Sequence, residues 1–348
     1  MIDNTVSTLQ IKRYQTAGGS QIFQIPLHEF PILDGYAYVV LIDDFEGASY
    51  RVLIDSGSGF GHSNQHLQEG LQQIRTQHGY ALDFQDLTHI LITHGHIDHI
   101  GGLHYVRERS DALLGIHDLD VRYLISYEEQ IAIATRRMAR YLADAGVAEP
   151  LQAEYLQFFQ LHKSLFRSID VDFTYEKEGM QVGPFEMLHV PGHSAGHVVI
   201  RLDDILFSGD HILSEISPHQ FPERLYLYTG LGHYLESLDK VLGWSEQIKL
   251  ALGGHKKPIT NLTHRIEDIR SLHEERLEAV IDLCGSPKTI AEISHALFAD
   301  VEGYNNLLAL EEAGAYTEFL YLHGELHMIN YEEVLRSDIP VPEHYQRY

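Results

Sequence analysis

A cluster of potential metal ligands lies at residues 93–102, directly after a short apolar run. That run, residues 87–92, is rich in β-branched side chains and predicts a buried strand. In an extended segment, side chains two positions apart point the same way, so His94 and His96 can bind one ion together. Asp98 and His99 follow where the chain must turn, and they can approach a second ion. Imidazole and carboxylate ligands suit zinc, manganese or iron. The alternative is a polar loop that is merely rich in histidine, since the chain contains 24 histidines.

The order of these residues resembles that of a known family. The segment His94–His99 matches the His-x-His-x-Asp-His motif of the metallo-β-lactamase superfamily. Four further segments resemble the family's other motifs: residues 53–59 (LIDSGSG), 191–197 (PGHSAGH), 206–210 (LFSGD) and 253–255 (GGH). Because five motifs stand in the family's order over residues 37–260, the resemblance is specific, whereas one motif alone would be weak evidence.

The resemblance implies a dinuclear metal centre with seven ligands. It assigns one metal to His94, His96 and His193, a second metal to Asp98, His99 and His255, and the bridging position to Asp210. The expected cofactors are two divalent ions, zinc first, with manganese or iron as alternatives. Two such ions can share a water and lower its pKa from about 15.7 towards neutrality, which supplies a metal-bridging hydroxide as the nucleophile. Asp98 and Asp210 are the expected catalytic residues, because Asp98 would contact that water and Asp210 would hold both metals. A structural zinc site is the alternative, but such sites commonly use cysteine and close with four ligands.

Other polar residues near the motifs are assigned smaller roles. Asp55 is expected to accept hydrogen bonds that set the metal loop, and the family pattern uses His193 but not His197. His89 lies inside an apolar strand and is more often a core histidine than a ligand. Residues 211–233 show little periodicity, and a long loop between ligands is a candidate substrate surface. Five residues in that loop are candidates for substrate contact: His211, His219, Tyr226, Tyr228 and His233.

The composition argues against polyanionic partners. The formal net charge is −25, from 25 Lys and Arg against 50 Asp and Glu, and such a surface repels nucleic acid and anionic membranes. The single cysteine, Cys284, excludes an intramolecular disulfide framework and fits a reducing compartment. The sequence contains no apolar run of the roughly 18–20 residues that a membrane span needs, and its first residues lack a signal-peptide pattern. We therefore expect a cytoplasmic protein that acts on a small molecule.

The predicted elements indicate an α/β fold, and the resemblance implies the four-layer αββα metallo-β-lactamase sandwich. We assign residues 1–262 to the catalytic domain and residues 263–348 to a small, mostly helical domain that resembles a winged helix. That tail contains 6 Lys and Arg against 17 Asp and Glu, a balance of −11. This balance favours structural use or a homodimer over nucleic-acid binding.

Residues 118–170 depart from the alternation of strands and helices and predict a helical insertion. Apolar residues at three-to-four spacing predict one long amphipathic helix from Leu119 to Leu142, and Pro150 can open a second helix. In the superfamily, insertions at this point tend to sit over the metal cleft. The insertion is therefore either a lid or an ordinary helical hairpin that packs on the body.

The leading function is hydrolysis of an ester, thioester or lactone, but neither the glyoxalase II branch nor the lactonase branch is matched outright. The lactonases usually place a tyrosine three positions after the bridging aspartate, where this chain has Leu213. A glutathione thioester site would need basic residues, and the sequence offers only Lys256, Lys257 and Arg224 nearby. The alternatives are a metal-dependent phosphodiesterase or endoribonuclease, which the acidic charge disfavours, and a non-catalytic sensor that holds a ligand at the metals.

Overall fold

The protein is described by a computed structural model that covers residues 10–30, 33–163, 166–299 and 301–348. The strands of the first sheet are β1 (Lys12–Gln15), β2 (Gln21–Phe30), β3 (Leu33–Phe45), β4 (Ala48–Ile54), β5 (His89–Leu91), β6 (Leu113–Ile116) and β7 (Phe173–Thr174), paired in that order. The second sheet contains β8 (Gln181–Val182), β9 (Phe185–His189), β10 (Val198–Leu202), β11 (Ile205–Gly209) and β12 (Leu250–Gly253), in the order β12-β11-β10-β9-β8. A small third sheet pairs β13 (Leu326–Met328) with β14 (Tyr345–Arg347).

The helices fall into three groups along the chain. The first group is α1 (Ser63–His78), α2 (Ile97–Ile100) and α3 (Leu103–Arg107). The insertion contributes α4 (Arg122–Ile125), α5 (Tyr127–Asp144) and α6 (Glu149–Lys163). The remaining helices are α7 (Leu231–Leu242), α8 (Leu262–Leu283), α9 (Ile290–Leu297), α10 (Tyr304–Leu322) and α11 (Tyr331–Arg336). None of the described helices is both long and apolar enough to cross a membrane.

The two large sheets pack face to face, and helices cover both outer faces, as the αββα prediction requires. Side chains alternate along β3, so Ala37 and Val39 face the core beneath α1, while Tyr38 and Val40 face the second sheet. On the second sheet, Val199, Leu206 and Ala251 pack outward in one cluster with residues of α7 and the C-terminal helices. Because both faces are covered, these strands are apolar on both sides rather than on one.

The sheet topology brings the motif loops to one edge of the sandwich. In the first sheet β4 and β5 run parallel, and they end just before Asp55 and His94. In the second sheet β11 and β12 run parallel, and they end just before Asp210 and His255. The carboxyl ends of parallel neighbours lie at the same edge of a sheet, so polar residues distant in sequence converge there.

The insertion differs from the prediction, because its first helix is not continuous. The helix is interrupted at Ser126, between α4 and α5, where φ and ψ are −138° and 42°. The N–H of Tyr127 donates to Ser168 Oγ at 3.0 Å, which takes this backbone donor out of the helical pattern. The prediction of one helix from Leu119 to Leu142 was therefore wrong, since apolar spacing does not reveal a competing hydrogen bond from another segment. Whether the insertion acts as a lid stays a prediction.

The C-terminal helices pack directly against the outer face of the second sheet. Residues of α8, α9 and α10 share one buried cluster with α7 and with Met138, Tyr141 and Leu142 of α5. The Tyr141 hydroxyl donates to the Leu310 carbonyl at 2.8 Å, which joins the insertion to α10. The helical character of the tail agrees with the sequence analysis. The division at residue 262 and the likeness to a winged helix stay predictions.

We expect Gly102→Ala to destabilise the protein. A Cβ at Gly102 would lie 2.1 Å from the backbone oxygen of Ser56. The backbone cannot easily move away, because the Gly102 N–H donates to the Gly57 carbonyl at 2.8 Å. Such overpacking against backbone costs about 1–3 kcal/mol of unfolding free energy. Gly232→Ala is the matched control, because its nearest neighbour is a Phe319 ring atom at 3.8 Å. Chemical denaturation of the metal-free variants measures both, and equal unfolding free energies would contradict the expectation.

Candidate metal centre

Three histidines from two loops form the first candidate metal-binding cluster. His94 and His96 follow β5, and His193 follows β9. One ring nitrogen of each lies within 4.8 Å of the others, and the Nε2 atom of His94 is 3.1 Å from the Nδ1 atom of His96. His94 is fully buried and His193 nearly so. The structure therefore brings together the three residues that the sequence analysis assigned to one metal.

Two carboxylates and two histidines form a second cluster beside the first. The Nε2 atom of His255 is 3.2 Å from Asp98 Oδ2 and 3.3 Å from Asp210 Oδ2. The Nε2 atom of His99 is 3.5 Å from the other carboxylate oxygen of Asp210. Asp210 also lies 3.9 Å from His193 Nε2. Asp210 thus stands between the clusters, which is the position that the resemblance assigned to it.

Three histidines of the two clusters are oriented by contacts of their outer ring nitrogens. His193 Nδ1 donates to the His219 carbonyl at 2.9 Å, and His255 Nδ1 donates to the Asp34 carbonyl at 2.8 Å. His99 Nδ1 lies 2.8 Å from the Asp55 carboxylate. An acceptor at Nδ1 fixes the tautomer and turns Nε2 inward, as carboxylate and carbonyl partners do around metal ligands.

Electrostatics differ between the two clusters. Burial and the neighbouring imidazoles hold the pKa of His94 well below its usual value, so His94 is neutral. Burial alone would lower the pKa values of His99 and His255, but Asp98 and Asp210 beside both rings, together with Asp55 beside His99, outweigh it and raise both pKa values well above the usual range. Burial alone would raise the pKa of Asp210, but these two histidines hold it well below its usual value. Without metal, the second cluster is a compact set of imidazolium and carboxylate groups.

We expect metal binding at the second cluster to release protons at neutral pH. His99 and His255 are imidazolium without metal because their pKa values are raised, and each must lose a proton before Nε2 can bind a cation. Affinity therefore rises with pH, by up to about tenfold per pH unit for each proton released. Calorimetry of zinc binding in buffers of different ionisation enthalpy counts the protons. A zinc affinity that stays constant between about pH 6 and about pH 8 would contradict this expectation.

Asp120 joins the loops of the three-histidine cluster and was missed in the sequence analysis. Its carboxylate accepts from the Gly95 N–H at 2.8 Å, from the Gly196 N–H at 2.7 Å and from the Ser194 hydroxyl at 3.1 Å. The side chain is fully buried, and burial raises the pKa of Asp120 to about 6 despite these hydrogen bonds. Asp118, two positions earlier, is exposed. No local pattern distinguishes the two aspartates, so only the fold identifies Asp120.

We expect Asp120→Asn to weaken metal binding by the three-histidine cluster. The amide keeps the size of the carboxylate but presents an N–H₂ donor to groups that are themselves donors. Loss of such supporting contacts typically costs about 10–100-fold in metal affinity. Asp118→Asn is the matched control and should bind metal as the original protein does. Zinc titration against a competing chelator measures both variants, and unchanged affinity in Asp120→Asn would show that the loops hold their positions without the carboxylate.

The other residues singled out from the sequence take several positions. His197 accepts from the Asp210 N–H at 3.1 Å and lies behind the cluster rather than in it. His89 stacks on Tyr50 with ring centroids 5.6 Å apart, away from both clusters. His211 is fully buried. Tyr228 is exposed, and the partly exposed His233 lies 3.4 Å from Glu223, so neither belongs to the clusters.

Part of the long loop lines an aromatic pocket beside the three-histidine cluster. The Phe221 ring centroid lies 5.9 Å from that of His96, and the Tyr226 ring lies 5.3 Å from Phe221. Tyr123 of α4 closes the pocket from the insertion side. The loop thus lies beside the metal motifs, and its use as a substrate surface stays a prediction. The contribution of Tyr123 was not predicted, since it depends on how the insertion folds back.

His219 links the metal centre to the C-terminal region. Its carbonyl accepts from His193, as described above, and its ring lies 3.3 Å from Glu311 and 3.6 Å from Glu312 of α10. Burial alone would lower the pKa of His219, but the two carboxylates raise it to about 9. Glu312 also pairs with Arg276 of α8. The sequence offered no signal for this buried ion pair, because Glu311 and Glu312 lie in a tail with many acidic residues.

Comparison with known proteins identifies a family. The model of the metallo-beta-lactamase superfamily matches residues 33–277. The anti-Pycsar protein Apyc1 of Bacillus phage 010DV004 is 31% identical over 169 residues, which are 48% of this chain and 60% of that protein. The probable metallo-hydrolase YqgX of Bacillus subtilis is 29% identical over 186 residues, 50% of this chain and 64% of YqgX. The hydroxyacylglutathione hydrolase of Shewanella sp. is 30% identical over 152 residues, 42% of this chain and 45% of that protein. The chain thus spans less than two thirds of each of these relatives.

Two solved structures are similar over nearly the whole chain. The metallo-beta-lactamase family protein TTHA1429 from Thermus thermophilus has a TM-score of 0.70 and 25% identity, and the match covers 94% of this chain and 98% of TTHA1429. A beta-lactamase domain protein from Burkholderia ambifaria has a TM-score of 0.68 and 22% identity, with 97% of this chain and 94% of that protein covered. The second likeness is one of fold alone.

Proposed function

This chain belongs to the metallo-β-lactamase superfamily, and from that premise we propose that it uses two metal ions to hydrolyse an acyl thioester, ester or lactone. Its curated relatives include a probable metallo-hydrolase and a hydroxyacylglutathione hydrolase, which supports a metal-dependent hydrolase. The observation that carries the finer proposal is the pair of ligand clusters with Asp210 between them. A four-ligand structural site would not need the second cluster.

The donor atoms fit two divalent cations. His94, His96 and His193 would hold one cation, Asp98, His99 and His255 would hold the other, and Asp210 would contact both. Three inward atoms are buried without a hydrogen-bond partner among the described residues: His99 Nε2, His193 Nε2 and Asp210 Oδ1. Buried polar atoms rarely stay unpaired, and a cation supplies the missing partner. When bound, two cations would polarise the acyl carbonyl and make a hydroxide nucleophile available near neutral pH. Nitrogen and carboxylate ligands without cysteine favour zinc and permit manganese or iron.

The protein's own residues would position the reacting groups and move the proton. In hydrolysis the water oxygen bonds to the acyl carbon, the bond to the leaving sulfur or oxygen breaks, and the leaving group takes up a proton. Asp98 has the more exposed of the two carboxylates, with 15% of its side chain accessible against 10% for Asp210. We therefore assign proton transfer to Asp98 and the bridging role to Asp210. Both are the catalytic residues expected from the sequence.

The surroundings favour a thioester over a lactone. One curated relative is named hydroxyacylglutathione hydrolase, and a hydroxyacylglutathione is a thioester. The small pocket of Tyr123, Phe221 and Tyr226, with a volume of about 30 Å³, offers aromatic faces to a small apolar group of a substrate. Leu213 occupies the position of the lactonase tyrosine and is 2% exposed, so it has no surface to offer a substrate.

The test is a panel of acyl thioesters, lactones and aryl esters, assayed with metal-loaded protein, metal-free protein and the Asp210→Ala variant. We expect metal-dependent turnover of at least one thioester. Asp210→Ala should lose nearly all activity and bind both metals weakly, because it removes the one ligand that contacts both cations. Asp118→Ala, at an exposed carboxylate, is the control. Mass spectrometry measures metal content, and circular dichroism checks the fold.

Each contrary outcome points to a different alternative. Two tightly held ions and intact activity in Asp210→Ala would show that the bridging assignment is wrong. Absence of metal-dependent turnover on every acyl substrate would remove the proposal. Turnover of a phosphodiester or of RNA in its place would indicate the nuclease alternative. A ligand bound unchanged at the loaded site would indicate a sensor.

A further inference from the structure

A groove beside α5 collects positive charge in an otherwise acidic chain. Its volume is about 530 Å³, and it is lined by Ile133, Arg136, Arg137, Arg140, Tyr141, Asp144 and Arg224. Four arginines and one aspartate line this groove, whereas the whole chain has 25 Lys and Arg against 50 Asp and Glu. A positive groove on an acidic protein concentrates anions locally while the rest of the surface repels them. Of these arginines, only Arg224 lies near the metal motifs in sequence, so the sequence pointed to it alone.

Two of these arginines have no carboxylate partner in the part of the chain that the structure describes. Arg140 pairs with Asp144 at 2.8 Å, and Arg224 pairs with Glu343 at 2.6 Å and with Glu318 at 3.3 Å. By contrast, Arg137 makes only a long hydrogen bond, 3.4 Å, to the Leu225 carbonyl. The guanidinium group of Arg136 forms neither an ion pair nor a hydrogen bond with any described residue. Two planar guanidinium groups therefore remain available for an external carboxylate or phosphate.

Helix stability explains only part of this cluster. Cations near the carboxyl end of a helix are favourable because of the helix dipole, but the effect fades beyond the last turn. Arg140 lies just before the last turn of α5, which ends at Asp144. Arg136 and Arg137 both lie about one turn before Arg140, farther from the end of the helix, so the dipole does not account for them. They also lack the i,i+4 carboxylate partner that Arg140 has in Asp144.

The groove adjoins the aromatic pocket of the candidate metal centre. Arg137 contacts Leu225, which is adjacent in sequence to Tyr226 of that pocket. Arg137 is also close enough to Tyr123 and Tyr226 to lower the pKa of each hydroxyl, although burial, the largest effect, raises both. Neighbouring side chains therefore connect His96, through Phe221 and Tyr226, to the loop that Arg137 contacts. The groove is two ring contacts away from the three-histidine cluster.

We propose that the Arg136 and Arg137 groove binds an anionic group, a carboxylate or phosphate, at the far end of the leaving group of the acyl substrate. This inference rests on the proposed hydrolase function and names its substrate class. The scissile carbonyl lies at the metal centre, the linking chain passes the aromatic pocket, and the anion pairs with the two guanidinium groups. Nucleic acid is not the ligand, because it would need basic contacts along several phosphates. Here the basic groove is short, and the carboxylates of Glu318, Glu343 and Asp144 border it.

Binding to metal-free protein tests the groove independently of catalysis. The probes are S-methylglutathione, which carries carboxylates, and desulfo-coenzyme A, which carries phosphates, measured by calorimetry at low ionic strength. We expect one of them to bind the original protein and to bind the Arg136→Ala/Arg137→Ala double variant at least about tenfold more weakly. Arg75→Ala, which removes one positive charge from the exposed side of α1, should bind like the original protein. The probe that binds identifies the anion as carboxylate or phosphate.

Kinetics with the metal-loaded enzyme separate this proposal from the hydrolase function. Thioesters of one acyl group with glutathione, coenzyme A and neutral N-acetylcysteamine are compared in the original protein and the double variant. We expect KM for the anionic thioester to rise about tenfold with kcat unchanged, and no change for the neutral thioester. Hydrolysis with equal KM in the variant, or absence of probe binding, overturns the groove while the hydrolase function survives. Probe binding that depends on the two arginines, without any thioester hydrolysis, keeps the anion site and overturns the hydrolase function.

Discussion

The arrangement of both clusters depends on the carboxylate of Asp55, which lies beneath the loop of residues 93–99. One oxygen accepts from the Thr93 N–H at 2.8 Å, and the other accepts from the Thr93 hydroxyl at 2.9 Å and from His99 Nδ1 at 2.8 Å. A single carboxylate thus fixes the start of the segment that carries His94 and sets the ring direction of His99. Asp55 itself has a φ of 58°, which is uncommon for residues other than glycine. These hydrogen bonds offset that strain at the end of β4.

The two clusters differ in the protonation of their histidines without metal, although both lie against Asp210. The three-histidine cluster contains imidazoles whose proximity and burial disfavour protonation, as the lowered pKa values of His94 and His193 indicate. The second cluster neutralises its own carboxylates with the protons on His99 and His255. A cation that enters the first cluster meets neutral imidazoles. A cation that enters the second cluster must displace the protons of His99 and His255, which already neutralise the carboxylates. The clusters differ because the second contains Asp98 and Asp210, whereas the first contains only histidines.

The sequence was sufficient to expect the layers of the fold and the convergence of the seven motif residues, because both expectations rest on local patterns. The role of these residues as metal ligands stays a prediction. The continuous apolar run at residues 37–42 of β3 is typical of a strand that is covered on both faces. What the sequence could not supply was contact between distant segments. Asp120, Glu311 and Arg136 look like ordinary surface residues in their local context. Only the folding of the insertion and of α10 against the loop of residues 210–230 gives them their positions.

The contact between His219 and α10 has a thermodynamic consequence for the chain as a whole. His219 holds a histidine of the first cluster through its carbonyl and holds Glu311 through its ring. The state of the metal centre and the seating of the C-terminal helices are therefore linked quantities. Thermodynamic reciprocity applies to such a link. If metal binding favours one position of α10 by a given factor, a change that fixes α10 in that position raises metal affinity by the same factor. Helix α10, distant in sequence from every motif, thus helps to hold His193 in place through His219.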